Sequence, residues 1–130
     1  MCTHTKWFDN SNSVREVRSL HLGKRHGLCF EWYPDGTLLE ESTWQHGVKH
    51  GVTQRWYENG ERQSQSQWDC GQLSGESLKW WSNGNLLESM HYDAGRGPVG
   101  MLQQWHPDGK LKIRVEYADD GRVISLWRCV

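Results

Sequence analysis

At 130 residues, with 35% hydrophobic and 24% charged side chains and a net charge of −1, the chain has room for one domain. The hydrophobic share is too small for a thick two-layer core, yet nine tryptophans, each able to bury on the order of 200 Å², exclude disorder. Basic and acidic residues number 15 and 16, so no basic stripe of the kind nucleic acid requires is present.

The opening stretch, Met1 to Trp7, contains no apolar run. Neither a signal peptide nor a membrane span is read there, and the expected compartment is the cytoplasm. From Phe8 to residue 22 the sequence fits the second half of a unit that then recurs, with Phe8 at the Trp32 position and Asn12 at the Gly36 position. Asparagine is the residue best able to stand in for glycine at positive φ. Four units follow at 23–46, 47–70, 71–94 and 95–119. The last carries one extra residue around Arg96-Gly97-Pro98-Val99, where the regularity of the sheet is expected to suffer. A C-terminal strand occupies 120–130. Its segment Val123 to Trp127 is apolar, so it is expected to be covered or paired, for example in a dimer through edge strands.

The period is 24 residues. It runs through Gly23, Gly47, Gly71 and Gly95, through Trp32, Trp56 and Trp80 with Trp105 one place late, and through Trp44, Trp68 and Tyr92 with Tyr117 one place late. Each unit reads as a β-hairpin. Pro34-Asp35-Gly36, Glu58-Asn59-Gly60, Ser82-Asn83-Gly84 and Pro107-Asp108-Gly109 are turn triplets that place glycine at positive φ. Stretches such as Gly47-Val48-Lys49-His50-Gly51 read as glycine-bracketed returns. Leu111, Ile113, Val115 and Tyr117 alternate with Lys110, Lys112, Arg114 and Glu116, which is strand periodicity. The predicted fold is all-β: an elongated antiparallel meander of about five repeated hairpins in a single twisted sheet. Trp32, Trp56, Trp80 and Trp105 are expected to line one face as a mostly buried ladder.

No catalytic constellation emerges. Glu40-Glu41 and Asp119-Asp120 are sequence neighbours, so on a strand each pair splits between two faces. Glu40 and Glu88 share a face but lie four strands apart. Gly95-Arg96-Gly97 opens no helix and reads weakly as a phosphate loop. His26 and His50 share a column, with His46 close by. Equivalent positions two strands apart are separated by roughly 10 Å, too far for one metal bound at about 2 Å. They are read as polar turn residues, with no metal or cofactor expected. Cys2, Cys29, Cys70 and Cys129 form no CxxC pair and are read as reduced thiols.

The unit beginning at Gly23, GKRHGLCFEWYPDGTLLEESTW, closely resembles the second variant of the MORN repeat. Bacterial proteins built only of such units include the YwqK-type antitoxins and related immunity proteins. The resemblance spans Phe8 to Tyr117 and implies an elongated hairpin array, no enzymatic activity and a protein ligand, and it supplies no functional residues to carry over. The expected role is therefore a non-catalytic antitoxin that binds and neutralises a cognate toxin or effector protein. The alternative is a scaffold or membrane-associated repeat protein. The basic returns around Lys24-Arg25 and Lys49 are candidate contacts for phosphate or anionic lipid.

Strand alternation singles out a binding strip. Tyr33, Tyr57, Trp81 and His106 follow the first aromatic of each turn and point away from it. Beside them runs a mixed-charge column of Glu31, Arg55, Lys79 and Gln104. Amphipathic rings and arginine are favoured at binding hot spots.

Overall fold

The computed structural model describes residues 2–9 and 13–128. Strands β1 (Cys2–Trp7), β2 (Val14–His21), β3 (Lys24–Trp32), β4 (Leu38–Gln45), β5 (Val48–Trp56) and β6 (Arg62–Asp69) are followed by β7 (Gln72–Leu73), β8 (Gly75–Trp80), β9 (Leu86–Asp93), β10 (Gly97–Trp105), β11 (Leu111–Tyr117) and β12 (Val123–Arg128). All belong to one antiparallel sheet whose order follows the sequence, with the short β7 pairing β6 just before β8 does. This is the predicted meander. Among the described residues no helix is long and apolar enough to cross a membrane.

Two turn chemistries alternate. At the tips, Gly36, Gly60, Gly84 and Gly109 take φ values of 91°, 88°, 90° and 90°, as expected. The Gly36 amide donates to the Tyr33 carbonyl and the Tyr33 amide to the Thr37 carbonyl, closing a three-residue loop. Asp35 Oδ1 accepts the Thr37 amide, and Asn59, Asn83 and Asp108 repeat that bond. At the other end, Leu22-Gly23, His46-Gly47 and Cys70-Gly71 form two-residue returns between paired His21 and Lys24, Gln45 and Val48, and Asp69 and Gln72. Both residues of each return have positive φ, which a type I′ turn demands and which disfavours Leu, His and Cys. The fourth return is longer, Ala94 to Arg96, which accommodates the extra residue.

Two sequence readings need correction. The second glycine of each supposed return, Gly27, Gly51, Gly75 and Gly100, lies inside the strand region at positive φ. There the pairing skips: Arg18 faces Cys29 but Leu20 faces Arg25, and Ser42 faces Thr53 but Trp44 faces Lys49. These glycines mark bulges, with two extra residues on the strand in the pairs just given, that bend it beside the return. In the first hairpin, Trp7 pairs Val14 as Trp32 pairs Leu38, so Trp7 and not Phe8 holds the Trp32 place. Asn12, like Cys129, lies outside the described residues.

The core has no second layer. Glu16, Cys29, Ser42, Thr53, Met90 and Val115 are buried, and alternation puts all of them on one face. Small side chains run across the strands there as Cys29, Ser42, Thr53 and Ser66. Trp44 and Trp68 fold back over this row, and their indole nitrogens donate to Ser42 Oγ at 2.7 Å and Ser66 Oγ at 3.0 Å. Trp32, Trp56, Trp80 and Trp105 share the opposite face and are half-buried. Phe30 stacks on Trp32 at 5.8 Å. The terminal strands are exposed throughout, including Val123, Ile124, Leu126 and Trp127.

Thr53 Oγ1 is buried without a hydrogen-bond partner. Thr53→Val keeps the shape and removes the orphaned hydroxyl, so it should raise stability by about 1 kcal/mol in urea denaturation. Leu22 is 90% exposed at φ 52°. Leu22→Asn should therefore stabilise by up to about 1 kcal/mol, read as a higher Tm.

Candidate protein-binding face

The face that carries Cys29 is also the face of the predicted strip. Its charged row runs across consecutive strands as Glu16, Glu31, Glu40, Arg55, Ser64, Lys79, Glu88 and Gln104. Beside it, at the tips, stand Tyr33, Tyr57 and Trp81, all half-buried, and His106, which is exposed. The polar ends of the first three rings are occupied. Tyr33 Oη donates to the Trp56 carbonyl at 2.8 Å, Tyr57 Oη to the Trp80 carbonyl at 2.7 Å, and Trp81 Nε1 to the Trp105 carbonyl at 3.1 Å. Each bond skips the intervening strand and joins one unit to the next. These rings therefore fasten the units, a role that strand alternation alone does not reveal. The repeat itself carried the signal: a ring with a polar end, Tyr33, Tyr57, Trp81 and His106, at each of the four repeated tips.

Tip asparagines add to the fastening. Asn59 Nδ2 donates to the Ser82 carbonyl at 2.9 Å, and Asn83 Nδ2 to the Pro107 carbonyl at 2.9 Å. The return end is tied in the same sense: the Gly47 amide donates to the Arg25 carbonyl at 2.9 Å and the Gly71 amide to the Lys49 carbonyl at 2.8 Å.

Of the basic return residues, Arg25 and Lys49 are engaged with aromatic rings, and Lys24 is exposed. The Arg25 guanidinium lies 4.7 Å from the Trp44 ring, and the Lys49 ammonium lies 5.8 Å from Trp44 and 5.1 Å from Trp68. The result is an alternating cation–aromatic stack, held by the ring quadrupoles. Lys49 also pairs Glu40 at 3.4 Å.

Of the strip residues, Arg55, Tyr57 and Lys79 converge. They line one cleft of about 480 Å³ with Gln63, Ser64 and Trp80. Arg55 reaches Glu40 only at 3.9 Å and is 47% exposed. Lys79 is exposed and has no ion-pair partner among the described residues. The cleft is thus cationic with an aromatic wall, while Glu31 stands further along the row beside Glu16 and Glu40. The cleft offers two cations and an amphipathic ring to a ligand.

Glu16 anchors the first end of the row. It is buried beside Arg18, Arg25 at 3.0 Å and Lys6 at 3.5 Å, which ties β1, β2 and β3 together. Burial pushes its pKa up, but the Arg18 hydrogen bond and the charges of Arg18, Lys6 and Arg25 outweigh this and hold it below the usual value.

A family model described as MORN repeat variant matches residues 25–46, 49–69, 73–94 and 98–119, the larger part of the chain. No curated protein matches it.

A carboxylate whose folded pKa is lowered stabilises the fold above its unfolded value, about 4.3 for glutamate. That contribution disappears as pH falls through the folded value. Glu16→Gln should therefore lower stability at pH 7 and flatten the acid limb of a stability–pH curve below about pH 4.5, measured by urea midpoints from pH 7 down to pH 3.

Proposed function

The chain belongs to the MORN repeat variant family, and from that premise we propose that it is a non-catalytic binding protein whose ligand is a protein toxin or effector. It neutralises that partner by covering an active surface. The observation that carries the binding role is the convergence of Arg55, Tyr57 and Lys79 on one cleft. The surrounding scaffold is rigidly tied from unit to unit, so the cleft is preorganised and little entropy is lost on docking. Its two cations call for an acidic side chain on the partner, and the Tyr57 ring supplies an amphipathic wall of the kind hot spots use. The toxin class follows from the likeness of the repeat unit to the YwqK-type antitoxins.

The opposite face offers apolar area. Leu28, Val52 and Met101 are exposed there at 45%, 39% and 39%, in one repeated column. A partner that grips the cleft by charge can gain further contact only by reaching round the sheet edge, so specificity rests on the cleft.

Alanine at Tyr57 or Trp81 would break a unit-to-unit bond, so charge reversal is the cleaner change. Arg55→Glu with Lys79→Glu should leave the fold intact and weaken partner binding at least tenfold, about 1.4 kcal/mol. Co-expression with the products of adjacent reading frames reads this as growth: the parent chain rescues cells and the double variant does not. Tyr57→Phe, which loses only the hydroxyl, should still rescue. Rescue by the charge-reversed chain would remove the cleft from the interface. Binding to anionic vesicles with no rescue would replace the toxin reading with a membrane scaffold.

A further inference from the structure

We propose that the return end of the hairpin β5–β6 binds a divalent transition-metal ion of the zinc class through His50, Asp69 and Cys70. His50 lies on β5, beside the end of β6 that Asp69 closes, and Cys70 is the first residue of the return. One ligand atom from each residue lies within 4.8 Å of the others. His50 Nδ1 stands 3.5 Å from Asp69 Oδ1. A tetrahedral ion with bonds of about 2.0–2.3 Å holds its donors about 3.5 Å apart. The imidazole and carboxylate are therefore already at the separation of shared ligands. The thiol has at most about an ångström to close, and both Asp69 and Cys70 are exposed. No other such trio occurs among the described residues.

The donor set selects the ion. Calcium and magnesium take oxygen donors and would leave the imidazole and thiol unused. Nitrogen, oxygen and sulfur together suit zinc or cobalt, and three protein ligands leave a fourth position open to water. His50, Asp69 and Cys70 occupy different columns of the repeat, and only the fold of one hairpin brings them together.

Local geometry presents the ligands. Cys70 sits at φ 48°, where Asn or Gly would be unstrained. Its amide donates to His50 Nδ1 at 3.2 Å, which fixes the ring beside the thiol. The Asp69 carboxylate lies within 4.8 Å of the Cys70 thiol. The ion replaces the thiol proton, which passes to solvent, and it takes the Nδ1 lone pair in place of the amide. In the preceding unit the His46 amide makes the same bond to His26 Nδ1, at 3.3 Å, but Gln45 stands where Asp69 does. In the following unit Ser74 replaces the imidazole. The mixed set is complete once.

Cobalt(II) titrated into the full chain under reducing conditions tests this. A thiolate-to-cobalt charge-transfer band should appear, saturate at one equivalent and vanish when zinc is added. Cys70→Ser should abolish the band, and His50→Ala should weaken cobalt binding at least tenfold. Cys2→Ser and the pair His26→Ala, His46→Ala should leave it unchanged. Zinc should raise the Tm of the parent chain and not that of Cys70→Ser. Absence of a charge-transfer band at millimolar cobalt, or a band that persists in Cys70→Ser, overturns the site. None of these readings depends on a toxin partner, so they stand or fall apart from the binding function.

Discussion

A single sheet has no second layer to bury it, and everything else in this structure answers that constraint. Apolar area leaves water only if something lies over it. Here the cover is built from the sheet's own long side chains. A row of small residues, Cys29, Ser42, Thr53 and Ser66, leaves room above the strands, and Trp44 and Trp68 fold into it. Trp44 lies opposite Gly27 and Trp68 opposite Gly51, so each ring sits beside a bulged strand. Low overall hydrophobicity is thus compatible with a folded chain, because a few large rings do the covering.

The second answer is unit-to-unit fastening. In a flat sheet, alternate strands are about 10 Å apart and do not touch. Here both ends of each hairpin lean toward the next, and hydrogen bonds skip the strand between. Tyr33 and Tyr57 make them at the tips, and Gly47 and Gly71 at the returns. Stability in such an array is close to a sum of unit and neighbour contributions. The two ends differ accordingly. Glu16 with Lys6, Arg18 and Arg25 ties the first three strands by charge. At the other end β12 is exposed on both faces and carries apolar side chains. That edge is the least protected part of the described chain.

Fastening also shapes function. Polar ring ends that join units are not available to a partner, so the tip aromatics act as walls and supports. What remains available is charge: Arg55 and Lys79, which the scaffold holds beside the Tyr57 ring. This cleft and the His50 return both arise in columns whose residue changes from unit to unit. The scaffold supplies position and the deviations supply chemistry.

The sequence by itself determined the all-β class, the hairpin unit, its period and the tip glycines. Glycine after Pro-Asp or Asn has a steric reason at one kind of turn only, and alternation is local. It also pointed to the Tyr33, Tyr57 and Trp81 column, because the rings recur in step. Tertiary structure decided the rest. Gly27 and Gly51 look like turn residues in sequence, and only pairing shows that they bend strands. Tyr57 looks like a free ring until its hydroxyl meets the Trp80 carbonyl, 23 residues on. His50, Asp69 and Cys70 lie in unrelated columns, and only the fold of one hairpin brings them within 4.8 Å. Period and turn preference are properties of neighbours along the chain. Which polar groups meet across strands depends on register, twist and bulge, which no short window of sequence contains.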